Sequence, residues 1–269
     1  MPSNPYQAIQ QGEPGTIGWR IDYFDEIGST QRIAAELAAQ GVAQGAVVIA
    51  ERQSAGRGRM GRQWHSPSGM NLYATIILRP TIPIAEVPRL SLVAGVAAAE
   101  ALEMAAPGIV ALKWPNDIWL NGLKAGGIIA EAVTDANHGL QCVLLGIGLN
   151  LNLAARDIPP ELQGKATSVL IATGYPCDRS AIASALLQKL NTRYMETERR
   201  GFAAVRPLWE RYSALTGKSV TVVDGASRIA GTVAGIDADG ALLLETAEGP
   251  TRILTGDVSI EGAYGQPKT

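Results

Sequence analysis

Short apolar runs broken by glycine and proline set the rhythm of the chain. Arg20–Asp25 alternates Ile21 and Tyr23 with polar neighbours, the period-two pattern of a half-buried strand. Ser29 or Thr30 is placed to cap the next segment, where Ile33, Leu37 and Ala38 share a helical face and Gly41 supplies the stop. Ala46–Ala50 and Leu72–Leu78 are apolar, β-rich runs and predict two strands. Pro88 sits in a first helical turn, and Leu92, Val96, Ala99 and Met104 continue the stripe of a helix near Leu90–Ala106.

Ile109–Leu112, Ile128–Val133 and Cys142–Leu151 predict three more strands, with turn signals at Asn121–Gly122 and Asn137–Gly139. The first of these is a strong hairpin marker. Asp178 opens a helix whose face carries Ile182, Leu186, Leu190 and Tyr194, and Phe202–Tyr212 predicts another. From about Thr216 the texture changes to four short strands, Ser219–Val223, Arg228–Ile236, Ala241–Glu245 and Arg252–Leu254. Turns at Asp224–Gly225, Asp239–Gly240 and Glu248–Gly249 separate them, which is the spacing of a small barrel. The strands cluster instead of alternating with helices, so the expected class is α+β, a mixed sheet with helices on one side. Residues 1–18, rich in proline and glycine, read as a flexible lead-in; the large domain is expected over 19–214 and the barrel over 215–269.

Composition removes several function classes. With 269 residues, 46% of them apolar and 18% charged, folding would bury roughly 73% of the extended surface, enough for a full core. A net charge of −2 provides no broad basic field for nucleic acid. Cys142 and Cys177 cannot build a disulfide framework, and two histidines, His65 and His138, make a zinc site or a Ser–His–Asp triad improbable. Both histidines are expected at the surface or internally satisfied, and no metal site made of protein side chains is expected. The N-terminus has neither the basic nor the apolar region of a signal peptide, and the most apolar helix is too short to span a bilayer. A soluble cytoplasmic protein is expected.

The chemistry concentrates in two segments. In Gln53–Arg62 (QSAGRGRMGR), Gly56, Gly58 and Gly61 interleave with Arg57, Arg59 and Arg62. Glycine lets backbone N–H groups approach a ligand, and arginine presents a planar charged fork for carboxylate or phosphate. Ordering seven such residues costs ~7–14 kcal/mol. Three or four charge-assisted hydrogen bonds return ~5–12 kcal/mol. The near-cancellation predicts a loop that is mobile when empty and ordered by an anion. It is not a P-loop, and without a helix start it is not a dinucleotide turn. A solvated loop or an RNA-binding stretch is the bland alternative.

The second segment is Lys113–Asp117 (KWPND), where Pro115 stiffens a turn that holds Lys113, Asn116 and Asp117. Lys124 follows, with Gly126 and Gly127 leaving room for a ligand. Lysines, asparagine and aspartate together favour an anion site over an ordinary polar turn. Gly146–Asn152 (GIGLNLN) ends a strand with Asn150 and Asn152, which are either turn formers or readers of an adenine edge.

Taken in order, GST at Gly28–Thr30, QSAGRGRMGRQW at Gln53–Trp64, SPSGMNLY at Ser66–Tyr73, KWPND, KAGGIIAE at Lys124–Glu131 and GIGLNLN resemble the biotin–protein ligase family. GIDADGALLLE at Gly235–Glu245 resembles that family's SH3-like C-terminal domain. The resemblance implies a class-II-synthetase-like mixed sheet plus an SH3-like β-barrel. It implies two steps: biotin and MgATP give biotinyl-5′-AMP, and a lysine of a biotin carboxyl carrier domain then takes the biotinyl group. Biotin, ATP and Mg2+ are the small molecules expected, the carrier protein is the macromolecular partner, and a homodimer is left open, since one sequence does not map the edge strands.

The same resemblance implies site roles. Ser29, Thr30, Gln31, Gln53, Gly56, Arg57, Gly58, Arg59, Lys124 and Gly127 would bind biotin. Arg59, Arg62, Trp64, Lys113, Asn116 and Asn150 would bind ATP, with Trp64 closing over the adenylate. Lys124, Arg59, Lys113 and Asp117 would carry the catalysis. Gln31 stands where asparagine or methionine is more usual, and Met60 where arginine is frequent. Fewer than twenty residues precede the large domain, so no N-terminal DNA-binding domain and no operator binding are expected. A lipoate ligase or octanoyltransferase of related fold is the nearest alternative, and an RNA-binding module is the alternative from another class.

Overall fold

A computed structural model describes residues 4–7, 9, 12–136, 139–225 and 227–260. β1 (Arg20–Ile27) runs parallel to β2 (Ala46–Gln53), with α1 (Thr30–Ala39) as the crossover between them. β3 (Leu72–Leu78) returns antiparallel, and α2 (Val87–Leu102) leads to β4 (Val110–Lys113), β5 (Asp117–Leu120), β6 (Leu123–Thr134) and β7 (Leu140–Leu149). The seven strands lie in the order β1-β2-β3-β7-β6-β5-β4 and form the expected mixed sheet. A short α3 (Val169–Thr173) and a long α4 (Arg179–Arg200) follow.

Helices cover both faces of this sheet, where the strand clustering predicts one. Val47 and Ile49 of β2 join Ile76 and Leu145 in the core beneath α2 and α4, while Ala46, Val48, Ile77 and Leu144 face α1. The cause is already present in β2 and β3. Every residue of β3 is buried, and a continuous apolar run marks a strand enclosed on two sides. α2 is apolar nearly all round and buried accordingly, packed between the sheet and α4. Its stripe stops earlier than expected, because Met104 lies past the helix and is 65% exposed. Asp178 caps α4 as expected, its Oδ1 accepting from the amides of Ser180 (2.8 Å) and Ala181 (3.1 Å). Phe202–Tyr212 is not one helix: a 3₁₀ turn at Phe202–Ala204 gives way to α5 (Arg206–Arg211). Pro207, with no N–H to donate, forces the restart.

The lead-in is not loose where it is described. Tyr6, Ile9 and Ile17 are buried in the main core. The Tyr6 ring packs against Tyr23 at 5.9 Å and lies under the Arg179 guanidinium, and burial pushes its hydroxyl up to about 12. Three isolated anchors among prolines and glycines leave no periodic signal.

The C-terminal unit adds β8 (Ser219–Asp224), β9 (Ser227–Ile236), β10 (Leu242–Thr246), β11 (Gly249–Ile253) and β12 (Asp257–Ile260), ordered β11-β10-β9-β8-β12. Four of these strands are the expected ones. β12 is a fifth, four residues long and too short to show a period. The unit docks through its Asp239–Gly240 turn. Trp114 Nε1 donates to the Gly240 carbonyl (2.9 Å), and Arg89 binds Asp239 through Nη2 (2.7 Å to Oδ1) and Nε (3.0 Å to the carbonyl). Among the described residues no helix is long and apolar enough to cross a membrane.

Candidate functional site

A cavity of about 420 Å³ opens where the ends of β2, β6 and β7, the start of α1, the arginine–glycine loop and β12 meet. Its wall on the α1 side is polar but uncharged. Ser29 occupies the cap position of α1 but makes no side-chain cap bond, a departure from the expected capping role that keeps its hydroxyl at the cavity. Thr30 is held from both sides. Its amide (2.8 Å) and hydroxyl (3.1 Å) donate to Gln53 Oε1, and its hydroxyl accepts from Thr75 (2.8 Å). Gln53 Nε2 donates in turn to Ser66 (3.1 Å). Gln31 is different: both atoms of its amide are buried without a partner among the described residues. Stranding such a group costs about 1–3 kcal/mol. It faces the cavity above Gly146, a standing invitation to a polar ligand.

The opposite wall is ionic. β4 and β5 form a hairpin whose turn is Trp114–Asn116, and Lys113 faces Asp117 across the base. The expected hairpin marker is correct but belongs to a strand not apparent in the sequence. Asn121 (φ 49°) and Gly122 (φ 79°) join β5 to β6, both in the left-handed region that a tight two-residue turn requires. Asn137 and His138, from the second turn signal, lie outside the described residues. Lys124 Nζ meets Asp117 Oδ1 at 2.5 Å and sits 5.6 Å from the centre of the Trp64 ring. Asn116 is clamped to β6, donating to the Ile128 carbonyl (2.7 Å) while its own carbonyl accepts from the Ile128 amide (3.0 Å). Lys113 lies 5.1 Å from the Trp119 ring, and burial holds its ammonium below the ordinary lysine value. Asp117 and Asp257 oppose that shift, while Lys124 and Arg62 add to it.

The loop folds back on itself as a narrow arch. The Gly58 amide donates to the Arg62 carbonyl (2.6 Å) and the Trp64 amide to the Gly56 carbonyl (2.9 Å). Met60 at the tip takes φ 56° and is 71% exposed. Each arginine reaches a different element. Arg57 pairs with Glu131 on β6 (3.4 Å), Arg59 Nη1 donates to Asn116 Oδ1 (3.1 Å), and Arg62 pairs with Asp257 on β12. Beyond the arch, Trp64 lies flat on the cavity floor. A Cβ on Gly148 would come within 2.6 Å of the indole nitrogen, so the floor has to be glycine. That nitrogen is itself buried and unpartnered among the described residues.

Most of the expected positions therefore converge. Ser29, Thr30, Gln31, Gln53, Arg57, Gly58, Arg59, Arg62, Trp64, Lys113, Asn116, Asp117, Lys124, Gly127 and Asn150 all line the cavity. Gly56 does not. It is buried at the neck of the arch, where a Cβ would stand 2.7 Å from Ser66 Oγ and from the Trp64 carbonyl. Asn150 donates to the Thr167 carbonyl (3.0 Å) at the cavity edge. Asn152 is a fastener, exchanging two 2.9 Å hydrogen bonds with the Cys177 backbone. Two parts of the lining went unrecognised in the sequence. Ile158, Pro159, Leu162, Lys165 and Ala166 form a second lip, and Asp257, Val258 and Ser259 bring the C-terminal unit to the cavity. The paired prolines Pro159–Pro160 signal only a turn, and Asp257 follows a glycine with no pattern around it.

Chemically, a neutral hydrogen-bonding wall stands across a small cavity from a cluster of fixed cations. Such a site brings an uncharged polar head group and a multiply anionic group together at Lys113, Lys124, Arg59 and Arg62.

Residues 23–150 match the Biotin/lipoate A/B protein ligase family, and residues 216–260 match the Biotin protein ligase C terminal domain. The chain is 38% identical over 244 residues to the bifunctional ligase/repressor BirA of Bacillus subtilis (strain 168), covering 91% of this chain and 75% of that protein. It is 34% identical over 238 residues to the biotin–[acetyl-CoA-carboxylase] ligase of Paracoccus denitrificans, covering 87% of this chain and 98% of the relative. Among solved structures, the biotin protein ligase of Aquifex aeolicus in complex with biotin and ATP superposes with a TM-score of 0.77 at 30% identity, covering 90% of this chain and 98% of that one.

Proposed function

The chain belongs to the biotin/lipoate A/B protein ligase family and is a ligase of its biotin branch; from that premise we propose the reaction at this cavity and the residues that carry it. A biotin carboxylate oxygen attacks the α-phosphorus of ATP, forming the mixed anhydride biotinyl-5′-AMP as the bond to the β-phosphate breaks and pyrophosphate leaves. The amine of a carrier-domain lysine then attacks the biotinyl carbonyl. The amide forms, AMP departs and the amine gives up its proton.

The observation that carries this reading is the pairing of the unpartnered Gln31 amide with the cation cluster across one cavity. Ser29, Thr30, Gln31 and Gln53 suit the polar, uncharged ring system of biotin, with Arg57, Gly58 and Gly127 beside it. Lys124 suits the point where the carboxylate meets the α-phosphate. It gives up Asp117 for two anions, and Asp117 is then free to face the incoming lysine. Lys113, Arg59 and Arg62 suit the charge that develops on the phosphates, and Asn116 and Asn150 the nucleotide's edges. Trp64 and the arch exclude the water that would hydrolyse the anhydride.

Mg2+ fits as a passenger of the nucleotide. Among the described residues no three carboxylate, histidine or cysteine side chains converge, and this ion is content with phosphate oxygens and water. The cytoplasm, where ATP and carrier domains meet, is the compartment this reaction needs. A net charge of −2 offers no broad basic field, so nothing favours RNA over the small anion that the enclosed cavity suits.

The test is incubation of the protein with labelled biotin, MgATP and a biotin carboxyl carrier domain. Label is expected on the carrier lysine. Arg59→Gly is expected to loosen the arch, so that activated biotin escapes to bystander lysines. Unlabelled carrier in the wild-type reaction would overturn the reading.

A further inference from the structure

The third tie of the arch crosses the domain boundary. Arg57 and Arg59 reach partners on the seven-stranded sheet, but Arg62 reaches Asp257, the first residue of β12. That carboxylate stands on a platform fixed independently of the loop. β12 pairs with β8 in register from Asp257 to Ile260, and the unit is anchored to Trp114 and Arg89 through its Asp239–Gly240 turn.

We propose that Asp257 is a positioning residue, through which the C-terminal unit holds Arg62, and with it the returning arm of the arch, closed over the bound acyl-adenylate. The identity of the trapped ligand rests on the function proposed above; the tether itself does not. The pair is half exposed, with side-chain accessibilities of 63% for Arg62 and 37% for Asp257. A pair in such a setting is weak and screened by salt. That weakness suits its task. A tether broken in every cycle admits biotin and ATP and releases the product, yet biases the closed state while the anhydride is held. The arrangement also gives the C-terminal unit a part in the reaction without placing any of its groups on the reacting atoms.

Asp257→Asn keeps the shape and removes the charge, whereas Asp257→Glu keeps the charge. Labelled biotinyl-5′-AMP is expected to leave the Asn variant about two- to fivefold faster than wild type. Raising salt from about 0.05 to 0.5 M is expected to speed release from wild type but not from the Asn variant. The Glu variant should restore both behaviours. A wild-type release rate with wild-type salt dependence in Asp257→Asn would overturn the proposal. Amide exchange at Arg62 and Gln63 in the ligand-free protein supplies a readout that needs no biotin: faster in Asp257→Asn supports the tether, equal in both proteins overturns it. A wild-type protein that forms no adenylate, but whose loop exchange responds to Asp257→Asn, would instead count against the proposed function.

Discussion

Lys124 and Lys113 are both lysines of the cation cluster, but their surroundings assign them different work. Lys124 is partly exposed, bound to Asp117 and close to the Trp64 ring, a setting in which one anionic partner can be exchanged for another. Removing one preorganised charge of this kind costs about 100- to 1,000-fold in the step it serves. Lys124→Ala is expected to lose adenylate formation on that scale while its thermal midpoint changes little, because the pair with Asp117 is partly solvated. Rapid-quench measurement of biotinyl-5′-AMP checks it, and a loss under tenfold would contradict the role. Lys113 is buried, and burial holds its pKa below the ordinary lysine value. Its charge is therefore lost at lower pH than that of a free lysine, and ATP affinity should fall as pH rises through that lowered value. Lys113→Arg keeps its charge throughout and should flatten the decline. Calorimetric titration of ATP across alkaline pH decides between a slope removed by arginine and one that persists.

At the scale of elements, the arch and the floor under Trp64 form one device. Three arginine ties, each solvent-exposed or partly so, hold the arch, while Trp64 closes on a floor that only glycine permits at position 148. Biotin is expected to slow amide exchange across Gly56–Arg62, and equal protection with and without ligand would contradict ligand-driven ordering. Gly148→Ala should push the indole off the floor. An overpacked site costs about 1–3 kcal/mol, so biotin binding should weaken about five- to 150-fold, and titration calorimetry checks it. These elements were unevenly legible. The arch and the Lys113–Asp117 turn announce themselves because glycine, arginine and proline are chosen there for chemistry, and chemistry is written in residue type. β5 hid because Asp117–Leu120 is four residues long and its first residue belongs to the site. Ser29 looked like a cap because serine at a helix start usually is one; here the hydroxyl stays at the cavity instead.

The whole molecule adds what no local pattern can carry. Helices on both faces of the sheet follow from burial of β2 and β3 on two sides, which apolar runs hint at but do not locate. The contribution of Asp257–Ser259 to the cavity depends on how the C-terminal unit docks, a contact between residues well over a hundred positions apart. Trp114 Nε1 is the buried polar link in that docking. Trp114→Phe removes the indole N–H together with one of its two fused rings and strands the Gly240 carbonyl, so unfolding stability should drop by at least about 1–3 kcal/mol. A urea titration checks it, and an unchanged midpoint would remove the bond from the docking account.

Acid-dependent exchange of labelled pyrophosphate into ATP tests, without any carrier protein, whether the cation cluster of this cavity joins biotin to a nucleotide. Exchange is expected with biotin, none with lipoate or octanoate, and near-complete loss of the biotin signal in Lys124→Ala. Exchange supported by lipoate or octanoate in place of biotin, or undiminished in Lys124→Ala, would contradict that role of the cluster.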